Sequence, residues 1–193
     1  MTAPRANASS PANPAAVDVL KPVRWALVSK GKVYLRGRVP SQAVADEIRR
    51  KVALAADDQN VFVEYTIDPS APLPADAPIF VTDTVLFDPD SSVVRPEFQA
   101  VLELGRFTME QNPKVRVTVI GRADSRGDPD YNLQLSRERA QAAVDFRART
   151  GVDRTRFTIV AKGADQPVAD QSTDAGMQAN RAVEFIAYGF LDN

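Results

Sequence analysis

The stretch GRADSRGDPDYNLQLSRERA, residues 121–140, runs from the end of a predicted strand through a polar loop into a predicted helix. Asp124 follows the strand, and Arg139 lies in the helix on the same face as Asn132, because steps of three and four residues connect them. The loop can fold the two charges toward one pocket, where Arg would fork onto a carboxylate and Asp would accept from an ammonium. Spacing alone favours a surface salt bridge worth less than about 1 kcal/mol, so this pocket is a hypothesis at this point.

Strands and helices alternate on both sides of this stretch. Apolar periodicity sets their limits, with Pro96 suited to a first helical turn and Gly151 to a C-terminal stop. The predicted order is strand 80–87, helix 96–111, strand 115–121, helix 132–150, strand 156–162 and final strand 182–188. This order predicts an α+β fold, an α/β sandwich with helices on one face of a mixed sheet.

A smaller unit precedes this sandwich. Its predicted elements are strands 23–28 and 32–39, a helical pattern from Ser41 to Ala55 and a strand 61–67. Ser41 is available as the N-cap of the helix, and Trp25 is expected in the core. The pattern therefore predicts a small ββαβ domain.

Segments of low apolar content separate these units. Residues 1–19 have too few large apolar groups to offset the entropy of ordering them, which predicts a flexible tether. Residues 69–78 are rich in proline, which excludes regular hydrogen-bonded structure and predicts an extended linker. The predicted domains are therefore 20–68 and 79–188, followed by a tail at 189–193.

Composition excludes several classes of function. The 24 basic and 25 acidic side chains nearly cancel, which argues against nucleic acid as a partner. The chain has no cysteine and no histidine, so thiol nucleophiles, thiolate or imidazole zinc sites and imidazole-based triads are excluded. Asp124, Asp128 and Asp130 lack the fixed offsets and the closing Glu of a calcium loop. We therefore expect no metal and no cofactor, and the carboxylates are the main acid and base candidates left.

The sequence shows no membrane-spanning segment. It contains no run of about 18 or more apolar residues. Residues 1–14 lack the basic start and apolar stretch of a secretory signal, so we expect that this sequence contains neither a signal nor an anchor. A polar surface without an apolar stripe predicts a monomer.

Motifs along the second unit resemble a known family. Residues 121–140 contain Gly-x-x-Asp-Ser-x-Gly and Tyr-Asn-x-x-Leu-Ser-x-x-Arg-Ala, and Asn-Arg-x-Val-Glu-Phe follows at 180–185. In this order and spacing they resemble the OmpA C-terminal-like family over residues 79–188. The resemblance implies a non-catalytic domain that binds peptidoglycan without a covalent bond. It also implies that Asp124 and Arg139 hold the free end of diaminopimelate in the peptide stem.

The same resemblance assigns supporting roles to five other residues. Asn132 and Ser136 would support the pocket, and Phe87 and Asp88 match the family's opening strand and the loop that rims the site. Arg181 matches one of the family's paired arginines before the last strand. Its expected role is divided evenly between ligand support and a salt bridge to a nearby carboxylate.

The small unit carries a weaker resemblance. The stretch GKVYLRGRVPS, residues 31–41, and the ββαβ order resemble the BON domain, a module of bacterial envelope proteins. BON domains are suspected of binding phospholipid or partner surfaces. We expect Gly31 and Gly37 to have structural roles, in a motif that marks a turn and the core, and not to form a binding site.

Three functions remain open at this stage. The first is an anchor that binds peptidoglycan in the periplasm, at the outer membrane or cell wall. The second is a cell-wall hydrolase that uses a pair of carboxylates, for which the sequence offers no clear pair. The third assigns the purpose to the BON-like domain, as a contact for envelope lipid or protein.

Overall fold

The computed structural model describes residues 23–29, 31–72, 79–149 and 151–191. Within these ranges the chain forms β1 (Arg24–Ser29), β2 (Lys32–Val39), α1 (Gln42–Ala56), β3 (Val61–Ile67), β4 (Ile79–Leu86), α2 (Gln99–Gln111), β5 (Arg116–Gly121), α3 (Pro129–Ala148), β6 (Phe157–Ala161), α4 (Asp174–Asn180) and β7 (Ala182–Tyr188). Each predicted strand is present, with its ends shifted by one residue at most. The predicted α+β class is confirmed.

The seven strands form one mixed sheet in the order β3-β2-β1-β4-β7-β5-β6. β1 and β2 form an antiparallel hairpin, whereas β2 pairs with β3 in parallel. β7 lies between β4 and β5 and runs antiparallel to both, and β5 pairs with β6 in parallel. The C-terminal ends of β4 and β5 therefore meet at one edge of the sheet, beside the start of β7.

A parallel contact between β1 and β4 joins the two predicted domains in a single sheet. Ala26 of β1 aligns there with Val81 of β4. The helices cross the same boundary, because Nδ2 of Asn112 donates to the main-chain O of Lys51 at 3.0 Å. The division into two domains stays a prediction, and the sequence did not indicate the shared sheet.

The predicted connecting segments lie largely outside the described residues. This holds for the tether at 1–19 and for residues 73–78 of the linker. The described start of the linker contacts the sheet, because Nη1 of Arg24 donates to the O of Pro72 at 2.9 Å. In the predicted tail, Phe190 is buried in the main core.

Helices α1, α2 and α3 pack side by side on one face of the sheet. α1 covers β2 and β3, and α3 covers β5 and β6. One core between the two layers serves both parts of the chain, and it includes Leu35, Ile48, Leu102, Val119 and Phe185, each at most 1% exposed. None of the helices in the described part of the chain combines the length and the apolar character needed to cross a membrane.

Side-chain caps fix where the helices begin. Ser41 caps α1 as predicted, since its Oγ accepts from the N of Val44 at 3.4 Å. α3 begins at Pro129, one turn before the predicted Asn132. The reason is Asp128, whose Oδ1 accepts from main-chain N–H groups of the first helical turn.

Two features differ from the sequence-based expectations. The placement of Trp25 in the core is wrong, because it is only partly buried. Side chains alternate along β1, and Ala26 takes the face that packs against the helices. The sequence also did not indicate α4, a short helix capped by Thr173, whose Oγ1 accepts from the N of Gly176 at 3.0 Å.

Candidate ligand-binding pocket

A pocket of about 280 Å³ opens at the sheet edge where β4 and β5 end. The loops after these two strands, the first turns of α3 and the residue before β7 contribute to it. Its lining consists of Pro89, Asp90, Ala123, Asp124, Arg126, Gly127, Tyr131, Asn132, Leu135, Arg139 and Arg181. Four residues predicted from the sequence are thus in one pocket, namely Asp124, Asn132, Arg139 and Arg181.

The carboxylate of Asp124 is surrounded by donors. Its Oδ1 accepts from the main-chain N and from Nε of Arg126, at 3.1 Å and 3.2 Å. Its Oδ2 accepts from Nη2 of Arg126 at 2.6 Å and from Nη1 of Arg181 at 2.7 Å. Each carboxylate oxygen has two lone pairs, so these four bonds occupy the accepting capacity of Asp124.

The surroundings of Asp124 keep it ionised. Burial raises its pKa, but hydrogen bonds from Arg126 and Arg181 outweigh burial and bring the pKa to about 2. A carboxylate in this state is a fixed negative charge at neutral pH. It is poorly suited to act as a general acid, which needs a pKa near the working pH.

Main-chain carbonyl groups hold the guanidinium of Arg139, which is only 1% exposed. Its Nε donates to the O of Ser91 at 2.8 Å, its Nη1 to the O of Arg122 at 3.0 Å and its Nη2 to the O of Asp88 at 3.0 Å. Its Cζ lies 5.5 Å from the centroid of the Phe87 ring. Arg139 therefore ties the loops after β4 and β5 to helix α3.

The positive charge of Arg139 is only partly compensated. Burial and then the positive charge of Arg181 lower the pKa of Arg139 to about 10, so it stays protonated at neutral pH. Its hydrogen bonds go to carbonyl oxygens, which carry no full negative charge. With Arg126, Arg139 and Arg181 facing Asp90 and Asp124, the lining carries one more cation than anions. A ligand with a carboxylate is therefore favoured.

The two arginines that bind Asp124 differ in exposure. The side chain of Arg181 is 8% exposed, whereas that of Arg126 is 53% exposed. Arg181 is also fixed by its Nε bond to the O of Phe87 at 3.2 Å and its Nη2 bond to Oε1 of Gln178 at 2.5 Å. Of the two roles left open for Arg181, the structure shows the salt bridge, and the partner is Asp124 itself.

Asn132 holds the loop that carries Asp124. Its Nδ2 donates to the O of Asp124 at 3.2 Å and to the O of Arg126 at 2.9 Å. The side chain is 4% exposed, so these bonds form away from competing water. Asn132 therefore fixes the loop conformation at the start of α3.

Three residues predicted for the site shape the pocket without lining it. Oγ of Ser136 donates to the O of Leu133 at 2.8 Å and accepts from the N of Gly163 at 3.0 Å, which holds the loop after β6 against α3. Phe87 is fully buried beneath the pocket arginines. The side chain of Asp88 is 64% exposed, and its contribution is the main-chain O described above.

Sequence reasoning missed part of the lining. The hydroxyl of Tyr131 donates to the carboxylate of Asp90, which joins the start of α3 to the loop after β4. Arg126 was also missed, although it stands two residues after Asp124. Arg126 and Tyr131 lie within the quoted stretch 121–140, but a sequence does not show which side chains face each other.

The approach of β5 to α3 sets the distance between the two sides of the pocket. Gly121 ends β5, and a Cβ atom added there would lie 1.9 Å from the O of Ser136. Only glycine permits this contact, because real Cβ atoms do not come so close to other heavy atoms. The strand that leads to Asp124 is thus packed directly on the helix that carries Arg139.

The described residues do not contain a cluster of three or more His, Cys, Asp or Glu side chains that could hold a metal ion. In the pocket, the two carboxylates are instead occupied by arginine and tyrosine donors. The arrangement is that of a site for a charged organic group.

Comparisons with known proteins agree with the fold. The family model of the OmpA family matches residues 86–181, a range that includes Asp124, Arg139 and Arg181. A peptidoglycan-associated lipoprotein of Brucella melitensis is 34% identical over 114 residues, which are 59% of this chain and 68% of that protein. The chain belongs to the OmpA family.

Other proteins similar to this OmpA family member come from the bacterial envelope. Outer membrane porin F of Pseudomonas fluorescens is 43% identical over 101 residues, which are 52% of this chain and 31% of that protein. The solved structure of the peptidoglycan-associated lipoprotein from Burkholderia pseudomallei has a TM-score of 0.53 and 29% identity, over 62% of this chain and 96% of that chain. The OmpA family match does not include residues 20–68, so their resemblance to the BON domain stays a prediction.

Proposed function

We propose that this pocket binds peptidoglycan without a covalent bond and so anchors an envelope protein to the cell wall. The ligand group is the free end of diaminopimelate in the peptide stem, which carries an ammonium and a carboxylate. The observation that carries the proposal is the presence of Asp124 and Arg139 in one pocket of suitable charge. The relatives named peptidoglycan-associated lipoprotein support it.

Arg139 binds the carboxylate of the ligand. A guanidinium has five N–H donors, and three of those of Arg139 go to main-chain carbonyls. One N–H on each terminal nitrogen is left for an acceptor. The carbonyl bonds hold the guanidinium in place, so little side-chain entropy is lost when the ligand binds.

Asp124 binds the ammonium of the ligand. Since its oxygens already accept four bonds, the ammonium must replace a donor that can leave. Arg126 is that donor, because its guanidinium is the most exposed of the groups on Asp124. Arg181 remains bound and keeps the carboxylate ionised while the exchange takes place.

The apolar part of the lining receives the methylene chain of the ligand. Pro89, Ala123 and Leu135 are the residues that provide it. Contacts of this kind are not directional, so they add affinity without fixing the orientation of the zwitterion. The charged groups of Arg139 and Asp124 fix that orientation.

The pocket acts as a binding site and not as an active site. Hydrolysis of the wall would need a carboxylic acid with a raised pKa near a second carboxylate. Asp124 has the opposite character, with a pKa of about 2 and two arginine partners.

The bound protein is placed in the cell envelope, outside the cytoplasmic membrane, because that is where peptidoglycan lies. It binds as a monomer, and the BON-like residues 20–68 are free to contact an envelope protein or lipid. The relatives include a protein named as an outer membrane porin, which supports this placement.

Sedimentation with insoluble peptidoglycan tests the proposal. The parent should sediment with diaminopimelate-type peptidoglycan, and Asp124→Asn and Arg139→Lys should each lose at least about tenfold in affinity. The first removes the charge that would bind the ammonium, and the second removes the two-pronged geometry that would bind the carboxylate. Asp124→Asn keeps the side-chain size and Arg139→Lys keeps the positive charge, and circular dichroism checks that both proteins are folded. Arg154→Ala serves as the matched control, because it removes an exposed arginine that pairs with Asp145 away from the pocket.

A second arm addresses the stem chemistry. Lysine-type peptidoglycan offers an ammonium without the neighbouring carboxylate, so the parent should bind it much more weakly. Equal binding of both types would contradict the assignment of diaminopimelate. A parent that stays in solution with both types would overturn the proposal as a whole.

A further inference from the structure

A second cavity, of about 70 Å³, lies between helix α2 and the sheet, away from the pocket at the sheet edge. Its walls are largely apolar, with Leu35 of β2, Met109 of α2 and Phe185 of β7 among them. The two polar side chains in its lining are Thr108 and Arg147. The cavity is therefore an apolar space that contains one cationic group.

Arg147 of α3 is buried at this cavity and is 3% exposed. Its Nε is buried without a hydrogen-bond partner, and the guanidinium forms no ion pair with any residue that the structure describes. Gly105 gives it room on α2, since a Cβ there would lie 2.4 Å from Nη2. Its Cζ lies 4.0 Å from the centroid of the Phe185 ring.

A buried guanidinium of this kind needs an acceptor. Buried charges in folded proteins are normally paired and hydrogen-bonded, because removing an ion from water is far more costly than removing a neutral group. The ring of Phe185 compensates part of this cost. Burial lowers the pKa of Arg147 to about 9, so the group still carries its charge at neutral pH.

Water alone is a poor partner in this cavity. A buried water needs two to four polar partners. The hydroxyl of Thr108 already donates to the O of Leu104 at 2.8 Å, which leaves Arg147 as the main polar group. An anion with an apolar body matches such a lining better than water does.

We infer that this cavity binds a small monocarboxylate, with its carboxylate on Arg147 and its alkyl group against the apolar walls. The planar guanidinium matches a carboxylate in a two-pronged geometry. The volume is close to half of the roughly 150 Å³ that accepts benzene in an engineered cavity, which limits the ligand to about two to four carbon atoms. Propionate is the probe of this class.

Such a ligand would connect the two parts of the chain. The lining includes Leu35 and Val52, which precede the region that matches the OmpA family, and Met109 and Phe185, which lie within it. Binding would therefore stabilise the junction between the BON-like residues and the peptidoglycan-binding part. This site is independent of the pocket that holds Asp124.

Thermal unfolding of the full chain in propionate tests the inference. Sodium propionate replaces sodium gluconate at constant ionic strength, because gluconate is too large for the cavity. The melting temperature of the parent should rise by about 5 °C when propionate reaches about 100 times its Kd. Arg147→Met should remain folded without this rise, because an apolar side chain of similar length replaces a buried charge. Arg149→Met, which removes an exposed arginine of the same helix end, should respond like the parent.

Saturation-transfer NMR of propionate gives a second readout that does not depend on stability. Signal transfer to the propionate methyl group should occur with the parent and Arg149→Met, and should be absent with Arg147→Met. If sodium chloride raised the melting temperature of the parent as much as sodium propionate does, the carboxylate assignment would be overturned. A parent that shows neither the rise in melting temperature nor signal transfer would show that only water fills the cavity.

Discussion

In the proposed binding mode, Asp124 can accept from a ligand only after one of its present donors leaves, and these donors differ in how firmly they are held. The main-chain N of Arg126 is fixed by the loop, which Asn132 braces through two carbonyl groups. Arg181 is almost fully buried and has other partners. The guanidinium of Arg126 is half exposed, and in the described part of the chain its hydrogen bonds go to Asp124. On the proposed function, Arg126 therefore competes with the ammonium of the ligand for Asp124.

Removal of this competitor should strengthen binding. Arg126→Ala should tighten the affinity for a diaminopimelate-containing stem peptide by up to about fivefold, because an ion pair with one exposed partner is worth about 0.2–1 kcal/mol. Isothermal titration calorimetry measures the change. Arg154→Ala should leave the affinity unchanged, since the Arg154 side chain is about as exposed as that of Arg126 but pairs with Asp145 outside the pocket lining. Weaker binding of Arg126→Ala would mean that Arg126 contacts the ligand instead of competing with it.

At the scale of secondary-structure elements, the contact between β5 and α3 sets the pocket. The chain turns from Gly121 to Asp128 in a short loop, so any shift of the strand against the helix moves Asp124 relative to Arg139. Gly121 has no space for a Cβ atom on its helix side. The geometry of the pair that we propose to bind the ligand thus depends on Gly121, which does not line the pocket.

Gly121→Ala should therefore reduce both stability and binding. Overpacking of this contact should lower the free energy of unfolding by about 3 kcal/mol, measured from urea denaturation. Gly31→Ala is the comparison, because a Cβ there meets no atom within 4 Å and only its positive φ of 76° opposes the change. It should cost about 1 kcal/mol and leave peptidoglycan sedimentation intact. A Gly121→Ala protein as stable as the parent would show that α3 can shift away from β5 without loss.

The elements themselves were largely predictable from the sequence. Alternating apolar residues located the strands, and the cap of Ser41 located α1. The start of α3 was missed by one turn because the helix was predicted from Asn132, whereas the cap of Asp128 starts it at Pro129. α4 was missed because it has only seven residues and shows no apolar periodicity. Apolar periodicity therefore identifies long elements well and an element as short as α4 poorly.

The pocket was less accessible to sequence reasoning. Asp124 and Arg139 were selected because of the family resemblance, since their spacing alone favoured a surface salt bridge. The occupation of Asp124 by Arg181 depends on a contact across 57 positions of the chain, which no local pattern encodes. The same reason explains why the parallel contact of β1 with β4 was not predicted.

At the scale of the whole molecule, the sheet and the helix layer enclose one continuous core. Buried residues from β1, β2 and α1 belong to the same cluster as those from α2, β5 and β7. The helices α1 and α2 also pack against each other across the boundary that the sequence predicts between two domains. Loss of packing in one part of the chain should therefore lower the stability of the other part as well.

Leu102→Ala tests this coupling. Leu102 is fully buried in α2, and its truncation should lower the free energy of unfolding by about 2–5 kcal/mol. Trp25, the only tryptophan, reports on β1, while far-UV circular dichroism reports on all elements. In urea, both signals should shift together to a lower midpoint. A tryptophan transition that stays in place would show that the two parts unfold separately.

The direction of β1 has a mechanical consequence. β1 runs parallel to β4, and the pocket lies where β4 ends, so the beginning of β1 is at the opposite edge of the sheet. A pull between a ligand in the pocket and the beginning of β1 would act along the strands. The hydrogen bonds that join the strands run nearly perpendicular to this direction, so the pull would load them in shear. Many of these bonds would then have to break at the same time. Peeling, in which bonds break one after another, would require a pull at right angles to the strands.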